Sequence, residues 1–270
     1  MENSSDSNPI VIESSVNQVR WITLNRPQHR NPLSTEMITT LIDALNRAGD
    51  DPSVRAIVIC GSGPIFSAGH DLREMSKQGD ESLHSTQERI RSILTLCATL
   101  MMTIVHSPRA IIACVQGTAT AAGCQLVSSC DLAIASRDAS FCTPGVNIGG
   151  FCTTPLVGIG RNISRKHAMA MALTGDNISA EEAVRIGLIN EAVDPSELLN
   201  HTRKLAEHIA SKSAQGIRQG KADFYRQIDM PLEDAFTYAN EAMVQAMTSQ
   251  DSEEGKAAFF EKRKPQWGDA

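Results

Sequence analysis

Between residues 19 and 135, short apolar runs alternate with longer stretches in which apolar residues recur every three or four positions. Val19 to Leu24 carries apolar residues on both faces and ends in the turn signal Asn25-Arg26-Pro27, which predicts a strand. After Ser34, residues Met37, Ile38, Leu41, Ile42, Leu45 and Ala48 recur at helical spacing as far as Gly49. Val54 to Cys60 is a continuous apolar run between Asp51-Pro52-Ser53 and Gly61-Ser62-Gly63-Pro64, the pattern of a strand covered on both faces. The plan then repeats. Ile90, Ile93, Leu94, Cys97, Leu100, Met101 and Ile104 make a helical stripe, Ser107-Pro108 breaks it, and Ala110 to Val115 forms another buried strand. Gly123 to Ser129 reads as helical and Leu132 to Ala135 as a third buried strand.

From about residue 153 the pattern turns helical. Ser179 with Glu182 three positions on is a capping box, and Gly187 closes that helix before a short strand, Leu188 to Val193. Beyond Pro195 come three or four amphipathic helices, among them 196–211, 214–226 and 231–249, and a last one carrying Phe259 and Phe260. One-sided helices after an α/β core need something to cover them, which suggests an assembly element. The chain therefore divides into a polar, flexible tail over residues 1–15, an α/β core over 16–197 and a helical region over 198–270. No repeat of fixed period is present.

Composition narrows the partners. Thirty-one Asp and Glu against 25 Lys and Arg leave a net charge of −6. Such a surface repels phosphate backbones, and few aromatic side chains are available to stack on bases, so no nucleic-acid partner is expected. The seven cysteines sit singly among Ala, Ile, Val and Ser, as reduced, buried small hydrophobes in a cytosol-like compartment. They make no CxxC or Cys/His spacing, so no metal site is expected. The longest apolar stretch reads as too short and interrupted to cross a bilayer, so no membrane partner is expected either. The first fifteen residues lack the basic and apolar regions of a secretory signal and the arginines of a mitochondrial presequence. The expected compartment is the cytoplasm, or the mitochondrial matrix should a transit peptide have been removed.

Three segments combine small residues with a polar partner where a strand meets a helix: Phe66-Ser67-Ala68-Gly69-His70-Asp71-Leu72, Val115 to Leu126 with Ala121-Ala122-Gly123-Cys124-Gln125 at its centre, and Phe141 to Phe151 with Thr143-Pro144-Gly145 at its start. Small residues opening a helix let backbone N–H groups approach a ligand oxygen. Two such amides on separate loops would make an oxyanion hole, although tight loop packing produces the same composition.

Leu24-Asn25-Arg26-Pro27, Arg30-Asn31-Pro32-Leu33-Ser34, Ser67 to Leu72, Ala122 to Leu126, Cys130 to Ala135, Leu173-Thr174-Gly175 with Ile178-Ser179-Ala180 and Gly187-Leu188, and the terminal Phe260 to Pro265 together resemble the enoyl-CoA hydratase/isomerase (crotonase) superfamily, from about residue 16 to the end. The resemblance implies a crotonase-type spiral of ββα turns with a C-terminal helical trimerisation region, assembled as a homotrimer or a dimer of trimers. It implies an acyl-CoA substrate, with coenzyme A entering as part of that substrate and no tightly bound cofactor. Carried over by position, the thioester carbonyl would accept from the backbone N–H groups of His70 and Ala122. Ala68, Asp71, Leu72 and Cys152 would line the substrate pocket, Arg30 would lie near the nucleotide, and Lys262 would reach the coenzyme A phosphates of a neighbouring subunit. The lysine that some hydratases carry before the first loop is replaced by Pro64.

The departure lies in the acid and base. Hydratases of this family assign proton transfer to two glutamates, and those positions hold Gln125 and Gly145. An amide does not exchange protons usefully near neutral pH, and glycine has no side chain. Each general acid or base is worth roughly 10²–10⁴ in rate, so standard hydration is in doubt. Asp71 and Asp131 read as structural, and no GxSxG elbow or GxGxxG turn offers another chemistry. The leading expectation is an acyl-CoA-binding protein that polarises a thioester through backbone amides. The alternatives are a carboxyacyl-CoA decarboxylase, which generates an enolate without a general base, and a non-catalytic acyl-CoA sensor or scaffold.

Overall fold

A computed structural model of the chain describes residues 8–268. The strands are β1 (Val11–Val16), β2 (Val19–Leu24), β3 (Ala56–Gly61), β4 (Ile65–Ser67), β5 (Ala110–Val115), β6 (Thr118–Thr120), β7 (Leu132–Ser136), β8 (Ser140–Cys142), β9 (Ile178–Ser179) and β10 (Glu191–Val193). The helices are α1 (Thr35–Asp50), α2 (Leu72–Met75), α3 (Leu83–His106), α4 (Ala122–Ser129), α5 (Pro155–Asn162), α6 (Arg165–Thr174), α7 (Ala180–Arg185), α8 (Leu198–Ala210), α9 (Ala214–Gln227), α10 (Leu232–Met247) and α11 (Gln250–Glu261).

Two sheets share the strands in turn. One runs β1-β2-β3-β5-β7-β10 and the other β4-β6-β8-β9. Each of three successive turns of the chain gives a longer strand to the first sheet (β3, β5, β7), a short strand to the second (β4, β6, β8), and then helix. This is the expected α/β spiral of ββα turns. Apart from the antiparallel β1–β2 pair, the first sheet is parallel, and its central strands are buried on both faces. Side chains alternate across a strand. Ile57, Ile59, Ile111, Ala113 and Val115 therefore join the core that holds Met37, Leu41 and Leu45 of α1 and Cys97, Leu100 and Ile104 of α3. Ala56, Val58, Cys60, Ile112, Cys114 and Ile134 face the other way, onto Leu198, Ala206 and Ala210 of α8.

Several expectations are corrected here. Residues 11–15 of the expected tail belong to the edge strand β1, polar because Glu13 and Ser15 lie beside Arg20 of β2, whose guanidinium donates to both at 2.7 Å. Residues 1–7 of the expected tail lie outside the described residues. Gly49 does not end α1, which continues to Asp50 with Asp51 as its C-cap. The strand after Gly187 begins only at Glu191, since Asn190 bonds Ala133 through both its side chain and its backbone N–H. Within the helical region expected from residue 198, α8 packs on the first sheet through Leu198, Ala206 and Ala210. The α3 helix proves long and apolar enough to cross a membrane by length and composition, where the sequence had read as too interrupted. Its Ile93, Cys97, Leu100, Met101 and Ile104 are buried, in the same core as α1.

Candidate active site

Parallel pairing brings the three small-residue motifs together. In the second sheet β4 pairs with β6 (Ser67↔Ala119) and β6 with β8 (Thr120↔Cys142), all parallel. Their C-terminal ends are neighbours, so the chain leaves them as three adjacent segments: Ala68-Gly69-His70, Ala121-Ala122 and Thr143-Pro144-Gly145. The carboxyl ends of parallel strands are where α/β sheets place ligands.

The first segment is held from below by Asn31, which is fully buried with a left-handed backbone. Its side chain accepts from the Arg26 N–H and donates to the carbonyls of Ser62 and Ile65 at 2.9 and 2.8 Å. Its own carbonyl accepts from Ser67 Oγ at 2.8 Å. The Ala68 N–H donates to the Arg30 carbonyl, and the Leu33 N–H to the Gly69 carbonyl. Asn31 and Ser67 were not singled out from the sequence. The available signal was Asn before Pro, a turn-forming pair whose amide can replace missing backbone partners.

Gly69 then turns with φ +82° and packs directly on the second segment. A Cβ built there would lie 2.9 Å from the Thr120 carbonyl oxygen and 3.1 Å from the Ala122 nitrogen. Gly123 is equally constrained, since a Cβ would come within 2.5 Å of the Ser67 carbonyl oxygen. Between them, Ala121 adopts φ 50°, ψ −117°, an unusual backbone for a residue with a side chain, held by its N–H bond to the Cys142 carbonyl at 2.9 Å. Such strain persists only where the surroundings impose it, and it concentrates at functional sites. Among the described residues, no group accepts from the N–H of His70 or of Ala122. Ala122 is fully buried at the start of α4, and a buried N–H without an acceptor is rare in a folded protein. Ala122 is the first residue of α4, where helix N–H groups lack intrahelical acceptors and the helix dipole is positive.

The remaining expected residues divide into two groups. Gln125 is buried one turn further along α4, and its Oε1 has no partner. Gly145 lies across from Cys152, whose Sγ accepts from the Gly145 N–H at 3.3 Å. A Cβ at 145 would lie 2.9 Å from the Cys152 nitrogen, so the backbone of the following loop occupies the room a side chain would need. Burial pushes the Cys152 thiol up from its ordinary value, which keeps it protonated and unreactive near neutrality. The His70 ring is neutral, because burial lowers its basicity more than nearby Glu74 raises it, and its Nε2 is unpartnered. Asp71 caps α2 through the Arg73 N–H, and Leu72 is exposed. Asp131 is structural: it accepts from the Ile111 N–H, Lys221 Nζ and Tyr225 OH.

Arg30 and Lys262 are exposed residues with left-handed backbones. Arg30 is tied to the first segment through its carbonyl, whereas nothing among the described contacts joins Lys262 to these loops. A cleft of about 690 Å³ opens between α2 and α3, lined by Thr35, Glu74, Arg89, Ile93 and Leu96. Among the described residues no group of three or more His, Cys, Asp or Glu side chains could hold a metal ion.

Fold and sequence define one class. The family model for enoyl-CoA hydratase/isomerase matches residues 14–270, and the chain belongs to that family. Within it, the branch that the Ala121 to Gln125 and Thr143 to Asn147 segments resemble is enoyl-CoA hydratase domain-containing protein 3. The mitochondrial protein of that name from Mus musculus is 43% identical over 249 residues, 92% of this chain and 81% of its own. The human protein of that name is similar in structure, with a TM-score of 0.91 at 40% identity over 96% of this chain and 100% of its own. An enoyl-CoA hydratase from Mycobacterium smegmatis gives a TM-score of 0.91 at 41% identity, covering 96% and 99%. A short-chain-enoyl-CoA hydratase of Clostridium acetobutylicum is 31% identical over 262 residues, 95% of this chain and 96% of its own.

Proposed function

We propose that this protein binds an acyl-CoA and polarises its thioester carbonyl through the His70 and Ala122 N–H groups, without the proton-transfer pair of the family's hydratases. The observation that carries this reading is the two unpartnered N–H groups on loops that Gly69 packs together. Donors fixed before the ligand arrives stabilise negative charge as it grows on the carbonyl oxygen, and losing one typically costs about 10²–10³ in rate. The cleft between α2 and α3 offers room for the acyl chain, and coenzyme A enters as part of the substrate, with no tightly bound cofactor. Ala68 and Cys152 flank the site, and Arg30 and, from a neighbouring copy, Lys262 are the cations available to the nucleotide phosphates.

The exposed apolar side chains of α10 and α11, including Leu232, Phe236, Met243, Phe259 and Phe260, support a homotrimer or dimer of trimers. The mitochondrial relatives support the matrix as the working compartment.

Calorimetry with butyryl-CoA and a crotonyl-CoA hydration assay test the reading together. Binding is expected, with hydration several orders of magnitude below that of a two-glutamate hydratase. Gln125→Glu is expected to raise the residual rate, whereas Gly145→Glu is not, because its side chain meets the Cys152 backbone. Robust turnover by the native chain would overturn the assignment of Gln125 and Gly145 as missing groups, and absence of binding would overturn the whole reading.

A further inference from the structure

The α2 helix is a single turn, Leu72–Met75, with no buried side chain, so apolar packing does not fix it. Yet it begins two residues after His70, whose N–H is one of the two free donors. Polar contacts hold it instead, and they close a circuit around that amide. The Gly69 carbonyl, in the same peptide plane as the His70 N–H, accepts from the Leu33 N–H at 2.7 Å. Leu33 leads into α1, whose first residue, Thr35, donates to the Glu74 carboxylate of α2 through its N–H at 2.8 Å and its hydroxyl at 2.7 Å. A carboxylate is stabilised at a helix start, so this tie suits both helices.

The other end of α2 is gripped from α3. The Arg89 guanidinium donates to the carbonyls of Glu74 and Ser76, the latter at 2.9 Å, groups that a helix C-terminus leaves without internal partners. Arg89 is held in turn by Glu81, whose carboxylate accepts from it at 2.7 Å, from the Thr86 hydroxyl at 3.0 Å and from the Gln78 N–H at 3.2 Å. A planar guanidinium with five donors can join two carbonyls and a carboxylate at once, which the point charge of a lysine cannot do in one fixed geometry. The bond to Arg89 holds the Glu81 carboxyl down at about 2, so the pair stays charged near neutral pH.

We infer that Arg89 is a positioning residue for the His70 N–H: by locking α2 against α3 it fixes the direction from which that amide meets a carbonyl oxygen. This inference rests on the thioester reading above and adds to it a residue on α3. Hydrogen bonds weaken steeply with misalignment, so a donor that polarises a carbonyl has to be aimed by its supports. The test is infrared spectroscopy of butyryl-CoA, carbon-13 labelled at the thioester carbonyl and fully bound, on the native protein, Arg89→Ala and Glu81→Ala. Affinity alone would not decide, because Arg89 also lines the cleft between α2 and α3, whereas the bound carbonyl frequency follows the alignment of the donors. Misaiming one donor of two is expected to remove about half of the native shift to lower frequency in each variant and to weaken binding about two- to tenfold. The denaturant midpoint should stay near native, since α2 buries no side chain. A native-sized shift in Arg89→Ala would overturn the assignment. So would an unchanged or enlarged shift in Glu81→Ala, because removing that carboxylate loosens the grip while strengthening the positive field, and the charge of Arg89 rather than its hold would then be acting. Either variant decides the matter if the other does not fold. No shift in the native protein would overturn the thioester reading as well.

Discussion

Gly69→Ala is expected to lower butyryl-CoA affinity about tenfold, the worth of roughly two neutral hydrogen bonds, and to cost about 1–3 kcal/mol of stability. The methyl group would be forced into a φ of +82° and against the Thr120 carbonyl, pushing apart the two loops that carry the free N–H groups. Gly79 supplies the control. It also has positive φ, at +50°, but nothing lies within 4 Å of a Cβ placed there. Gly79→Ala should therefore show only the conformational penalty, with thioester binding unchanged. Calorimetry and denaturant unfolding on both variants separate the two effects. Equal losses of affinity in both variants would mean that loop approach at Gly69 does not set the site.

Asp131→Ala is expected to give the largest loss of stability, about 3–5 kcal/mol, read as a shift in the denaturant midpoint at constant slope. Its carboxylate pairs with Lys221 at 2.7 Å where the lysine side chain is only 8% exposed, and it also accepts from the start of β5. Removing it strands a buried ammonium, whose basicity desolvation already lowers, and an unsatisfied N–H. The Asp131→Ala/Lys221→Met double variant should recover much of the loss, because no charge is left buried. A single variant within about 1 kcal/mol of native would show that solvent reaches the pair freely. The same bond anchors α9 to the core, so the loss should extend to the helices that follow it.

The long elements were legible because their periods are strong. The runs Ala110 to Val115 and Leu132 to Ala135 are continuous since the parallel strands they form are covered on both faces. β1 was hidden because an edge strand can carry polar residues such as Glu13, Ser14 and Ser15, held by pairing with β2 and by Arg20 rather than by an apolar period. The three short strands that end at the site, β4, β6 and β8, are too brief for a period to show, yet their parallel register is what assembles the three motifs. Small residues at Ala68-Gly69 and Ala121-Gly123 marked two loops that the structure packs against each other. The anchoring by Asn31 and the close approach at Gly145 depend on contacts 30 or more residues away or on a backbone path, which no local pattern encodes.

The central claim is that two backbone N–H groups polarise a bound thioester. Infrared spectroscopy of butyryl-CoA labelled with carbon-13 at the thioester carbonyl tests it directly on the native protein. Donation from His70 and Ala122 predicts that the carbonyl stretch moves to lower frequency on binding and returns toward the free value in Gly69→Ala. A bound ligand whose carbonyl stretch matches that in free solution or lies above it would contradict the account.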